Sequence, residues 1–153
     1  MSIFTEIGPI LLAAALLALI VLDLRFMRIP DQLVAAFLAL FIVKVLAQGP
    51  GEWLLWQMGL AAVVFGACFV AFGLNLLGGG DAKVLPVLAL FVPLGQLAPA
   101  MLLFSVALIL SIAAVLACRR IWSHPDRSWA VLRERDLPMG LPMGLTGLAL
   151  LLT

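Results

Sequence analysis

Charge is scarce in this chain. Lys, Arg, Asp and Glu make up 11% of its 153 residues, against about 25% in soluble globular domains. Hydrophobic residues make up 65% and the mean hydropathy is +1.25. That balance describes an all-α, polytopic membrane protein that keeps company with a lipid bilayer. The formal net charge is +1, which gives no reason to expect a nucleic acid partner. Cysteine is nearly absent. Cys68 and Cys118 lie far apart, form no C-x-x-C pair and have no metal-ligand spacing, so both read as packing residues. No Lys or Arg precedes the first apolar run between Met1 and Ile7. A cleaved signal peptide needs that positive region, so the first run is expected to stay as a helix. No repeat, heptad or low-complexity tract breaks the chain, and its length suits one domain, residues 1–153.

Apolar segments follow one another along the sequence. The first runs from Ile7 to Leu24 and is closed by Asp23, Arg25, Arg28, Pro30 and Asp31. The second runs from Leu33 to Ala47, with Asp31 placed to cap its start. Gln48-Gly49-Pro50-Gly51-Glu52 reads as a turn. The third runs from Trp53 to Leu77, long enough to span with tilt, since about 20 residues cover the hydrocarbon core. From Val84 to Cys118 lies one long block, interrupted by Pro93-Leu94-Gly95-Gln96 and Pro99. The polar stretch Arg119 to Asp136 follows, and Leu137 to Thr153 forms the last segment. Small residues such as Ala13 to Ala15 and Gly66-Ala67 suit close helix packing. Trp53, Trp56, Trp122 and Trp129 fit an aromatic belt at the interfaces.

Charge decides the parity of the long block. Arg25 and Arg28 follow the first segment, Lys83 the third, and Arg119, Arg120, Arg127, Arg133 and Arg135 the block. Two crossings within the block put all of these on one face and leave only Lys44 near the other. The positive-inside rule makes the shared face cytoplasmic. The expectation is therefore about six transmembrane helices with both termini on the outer, periplasmic side. The boundary between the fourth and fifth helices stays open.

Against this apolar background, Leu76 to Lys83 stands out: Leu-Leu-Gly-Gly-Gly-Asp-Ala-Lys. An Asp at the centre of a membrane helix costs roughly 2.5–3.5 kcal/mol on insertion scales, so an intramembrane ionisable group is a functional candidate by default. The glycines weaken the helix ahead of Asp81 and let a backbone or a substrate strand come near. The topology sets Asp23 and Asp81 at similar depth on the cytoplasmic side. Two carboxylates that share a site cannot both ionise easily and hold one proton between them. That is the aspartic-protease arrangement, in which one carboxyl takes a proton from water while the other polarises the scissile carbonyl. It calls for no metal and no cofactor. Alone, Asp23 reads as a helix-end residue paired with Arg25 or Arg28, and Lys83 as a neutraliser of Asp81 or a side chain reaching for headgroups. His124 reads as a solvated loop residue.

These residues resemble a family. Gly78-Gly79-Gly80-Asp81-Ala82-Lys83 is similar to the G-x-G-D-x-K motif of the type IV prepilin peptidases, intramembrane aspartic proteases that include the archaeal preflagellin peptidases. Asp23-Leu24-Arg25-Phe26-Met27-Arg28-Ile29-Pro30-Asp31 resembles their first-aspartate motif, with Asp31 where Asn is usual. Pro-Met-Gly, present at Pro138 to Gly140 and again at Pro142 to Gly144, resembles a Pro-aromatic-Gly motif of the last helix, with Met in the aromatic place. The length is most like the short tight-adherence, or Flp-type, peptidases.

The resemblance implies an aspartic endopeptidase that removes the basic leader of a Flp-like prepilin at the cytoplasmic face of the bacterial inner membrane, in support of pilus biogenesis. Asp23 and Asp81 would be catalytic. Gly78, Gly79, Gly80, Lys83, Arg28 and Pro30 would shape the site. The larger members' paired cysteines are missing, so methylation of the new N-terminus is not expected. Acidic Asp126, Glu134 and Asp136 are candidate contacts for the basic leader. Two other readings compete. A non-enzymatic membrane assembly subunit of a pilus or secretion system would pair the aspartates with arginines. A proton-coupled transporter would need carboxylates or polar groups at mid-membrane depth leading to the other side, and near the outer face the chain has only Glu6 and Glu52.

Overall fold

The computed structural model describes residues 2–121 and 138–152. Among them the chain is all-helical, with no strand. We number its α-helices α1 (Ser2–Phe26), α2 (Asp31–Gln48), α3 (Glu52–Gly73), α4 (Gly79–Ala89), α5 (Leu97–Ile121) and α6 (Gly140–Leu151). Four of these carry stretches long and apolar enough to cross a membrane: Ile7–Phe26 in α1, then α2, α3, and Leu94–Cys118, mostly α5. Helix α4 has 11 residues and α6 has 12. At 1.5 Å per residue both are well short of a ~30 Å core.

The helix ends follow local chemistry. Met27 ends α1 at φ 50°, its N–H donating to the carbonyl of Asp23 at 2.8 Å, an αL cap formed without glycine. Gly49, at φ 78°, ends α2 as the turn composition predicts. Helix α3 stops at Gly73 rather than at the expected Leu77. Hydropathy stays high there, but Asn75 adopts φ 58° and turns the chain. The long block divides between Leu90 and Gln96, ending in a 3-10 turn at Leu94–Gln96. Pro93 starts that turn, whereas Pro99 sits in the first turn of α5, where a missing N–H costs little. Asp31 does not cap α2. Pro30 holds the capping position, and Asp31 lies in the first turn with its side chain turned elsewhere.

Packing runs α3–α4–α2–α1–α6–α5, with α4 also meeting α6 and the 3-10 turn touching both α3 and α5. The core joins Leu16 and Leu19 of α1, Phe37 of α2, Val84 and Val87 of α4, and Met143 of α6. The two short helices supply much of that core. The long ones present exposed apolar faces such as Ile10, Val63, Phe69 and Ile109, as a lipid-facing surface requires. A short helix at membrane depth is tolerable because protein surrounds it. Of the cysteines, Cys68 is buried and fits its packing role, whereas Cys118 is exposed on α5 and does not.

Candidate active site

The end of α1, the link Met27–Pro30, the start of α4 and the start of α6 meet at one place. Asp23, in the last turn of α1, is 5% exposed. Its Oδ2 accepts the backbone N–H of Gly140 at 2.7 Å across 117 residues of sequence. Gly140 is the first residue of α6, so the carboxylate lies at that helix's positive end, where unpaired N–H groups and the macrodipole favour an anion. The approach is tight. A Cβ on Gly140 would stand 2.7 Å from the Cβ of Asp23 and 2.9 Å from its Cγ and Oδ2.

Asp81 is half-buried in the first turn of α4, with Gly78 as the capping residue. Its side chain folds back over that residue, because a Cβ on Gly78 would lie 2.9 Å from its Oδ2. Gly80 faces Ile29 of the α1–α2 link, and Gly79 faces the ring of Phe72 at the end of α3. The glycine run thus seats the start of α4 between two neighbours. The outcome is that Asp23 and Asp81 are near enough to interact electrostatically. Cys68 of α3 also lies within reach of the Asp81 charge.

Lys83 pairs with neither aspartate. It donates to Asp31 Oδ1 at 2.9 Å, an exposed ion pair that joins the first turns of α4 and α2. This replaces both expected roles, neutraliser for Lys83 and cap for Asp31. Pro30 sets the direction of the chain into α2 at φ −69°, ψ 143°. Arg28 is exposed, and among the described residues neither it nor Arg25 forms an ion pair with Asp23. Arg25 lies over the Phe26 ring, 5.4 Å from its centroid. Among the described residues, no arginine–aspartate pair supports an assembly role that neutralises the aspartates. Trp122, His124, Asp126, Arg127, Trp129, Arg133, Glu134, Arg135 and Asp136 lie outside the described residues.

Gly140 is the site residue that the sequence left unassigned. Pro-Met-Gly occurs twice, and only packing separates the copies. Gly140 meets Asp23, whereas Gly144 meets Ile20 and the carbonyl of Leu16 one turn further along α1. Among the described residues no group of three His, Cys, Asp or Glu is arranged to hold a metal ion.

Residues 10–117 match the model of the type IV leader peptidase family, a span that includes both aspartates and covers well over half of the chain. No curated protein and no solved structure matches the chain.

Proposed function

The chain belongs to the type IV leader peptidase family, and on that premise we propose that it is a multi-pass aspartic endopeptidase of the bacterial inner membrane that removes basic leaders from Flp-like prepilins. The observation that carries this reading is the meeting of Asp23 and Asp81 at one site, with Asp23 seated on the N–H of Gly140.

In this mechanism a water lies between the two carboxyls. The Gly140 N–H favours Asp23 as the ionised partner, since a hydrogen bond to a carboxylate stabilises its charge. Asp81, half-buried and without such a donor among the described residues, holds the shared proton. Asp23 takes a proton from water as its oxygen attacks the scissile carbonyl carbon. Asp81 gives its proton to the carbonyl oxygen. The tetrahedral intermediate then breaks its C–N bond. Asp23 returns a proton to the leaving amine, and the proton on the former carbonyl oxygen goes back to Asp81. Gly78, Gly79 and Gly80 let the start of α4 seat closely against the Asp81 side chain, Phe72 and Ile29, while Pro30 and the Lys83–Asp31 pair hold α2 and α4 in place around the dyad. Arg28 lies at the rim.

The charge parity of the loops supports six crossings with both termini outside, α4 and α6 being short crossings shielded by the longer helices. That topology puts the dyad near the cytoplasmic interface, where water and a leader peptide can both arrive. On this reading these residues carry out leader cleavage and no methylation step.

The test is processing of a Flp-like prepilin in membranes by wild type, Asp23→Asn and Asp81→Asn. Each substitution is nearly isosteric and removes one carboxylate. Wild type is expected to shift the prepilin on a gel, while both variants accumulate and leave it uncut. Cleavage at the wild-type rate by either variant would make that aspartate structural and end the two-aspartate mechanism.

A further inference from the structure

Next to the aspartate site, and running away from it, the bundle carries a second arrangement that the peptidase reading does not use. A cavity of about 350 Å³ lies among α1, α3, α4, α5 and α6. Its wall is apolar apart from Gln96 and Thr146, and the Thr146 hydroxyl already donates to the carbonyl of Pro142. Met101, on the wall and 65% exposed, marks where the cavity reaches the lipid-facing surface.

One face of α3 leads from this cavity to a cation. Leu60 and Val64 line the wall. Gln57 and Trp53 continue the same face towards the start of α3, since residues three and four apart stack on one side of a helix. Trp53 touches Lys44 of α2, whose Nζ lies 5.3 Å from that ring, 6.0 Å from the Phe41 ring and 5.9 Å from the Phe91 ring. Phe91 belongs to both places, the cage around Lys44 and the cavity wall. Among the described residues Lys44 has no carboxylate partner. Between cation and cavity, Gln57 is 5% exposed and its Oε1 has no hydrogen-bond partner. A buried acceptor left unpaired costs roughly 1–3 kcal/mol, so such an atom calls for a donor.

We propose that this seam binds one phospholipid of the phosphatidylglycerol type, with an acyl chain in the cavity, its phosphate against Lys44, and its head-group glycerol folded back past the phosphate so that a hydroxyl donates to Gln57 Oε1. Each feature selects one part of that molecule. The dry cavity takes a hydrocarbon chain, the uncompensated ammonium takes an anionic phosphate, and the orphaned oxygen takes a hydroxyl that phosphatidylcholine lacks. The head-group end of this seam is remote from the dyad: Gly79, two residues before Asp81, faces Phe72 at the far end of α3, about 28 Å along that helix from Trp53 at 1.5 Å per residue.

The test uses the full chain in phosphatidylcholine nanodiscs, with phosphatidylglycerol carrying a diazirine near the end of one acyl chain. After irradiation, cross-links are expected on wall residues such as Val64, Ala100 and Phe104. Excess phosphatidylglycerol should compete them away and excess phosphatidylcholine should not. Lys44→Gln should lower the apparent affinity about fivefold and abolish the head-group preference. Gln57→Leu, which removes the acceptor but keeps a buried apolar side chain, should weaken the preference while leaving acyl cross-linking intact. Ala100→Phe should fill the cavity and abolish the cross-links, and its thermal melt shows whether it is folded. Should it not fold, Lys44→Gln and Gln57→Leu decide. Cross-links spread evenly over exposed faces, or equal competition by both lipids, overturn the proposal. So does a cavity labelled by a diazirine-bearing apolar helical peptide and not by lipid.

Discussion

Gly140 gives Asp23 its orientation through a backbone N–H that any residue would also carry, so its glycine identity rests on space alone. A methyl there would enter the van der Waals shell of the Asp23 side chain, at 2.7–2.9 Å from three of its atoms. Gly140→Ala should therefore push the carboxylate aside and lower kcat about a hundredfold, the scale that follows from misplacing a catalytic group by about 1 Å. KM and the thermal melt should change little, and prepilin processing with a parallel melt checks both. A dyad that works through one shared proton also sets the pH response. At low pH both carboxyls are protonated and no base remains; at high pH both are ionised and no acid remains. The expected kcat/KM profile is a bell whose two limbs belong to the pair, and Asp81→Asn should remove its residual shape along with its height. Asp23, Asp81 and the glycine run were legible in the sequence because a charge in an apolar chain has few bland explanations. Gly140 was not, because a repeated motif offers two positions and the distinguishing contact spans 117 residues. The partner of Lys83 was also hidden. Asp31 is 52 residues away, and nothing local favours it over Asp81, two positions away.

At the scale of single helices, the ends show how far composition carries. The turn at Gln48 to Glu52 was readable because glycine and proline act on the backbone directly. The end of α3 was not, since Leu74, Leu76 and Leu77 continue the apolar run while the backbone has already turned at Asn75. Pro93 and Pro99 looked alike as interruptions, yet one breaks the helix and the other fits inside the first turn of α5, a difference set by position relative to the helix start. The end of α1 holds a correctable strain. Met27 takes φ 50°, a region that costs a side-chain-bearing residue roughly 1–2 kcal/mol. Met27→Gly should relieve it and raise stability by about 1 kcal/mol, read as a higher melting temperature in detergent. A lower melting temperature would show that the Met27 side chain contributes more through packing than its backbone loses.

At the scale of the whole molecule, hydropathy made the membrane class plain and outlined the apolar segments, and loop charge divided the long block in two, but neither could rank the described helices by depth of burial. Helices α4 and α6 are the shortest and line the core, while the long helices form the lipid face. The proposed topology has a direct check. With both native cysteines replaced by alanine, Gln48→Cys at the end of α2 should react with a membrane-impermeant maleimide on intact cells. Leu76→Cys, between α3 and α4, should react only after the membrane is opened; the reverse pattern would invert the orientation. The bond from Gly140 to Asp23 finally bears on biosynthesis. The first half of the dyad is made 117 residues before the amide that seats it. At about 5–20 residues per second, a nascent chain carries both aspartates for several seconds before α6 exists. On the proposed function, the chain lacks the amide that seats Asp23 throughout that interval, so cutting would begin only once the last helix is in place. The order of translation would then itself act as a safety catch on premature cutting.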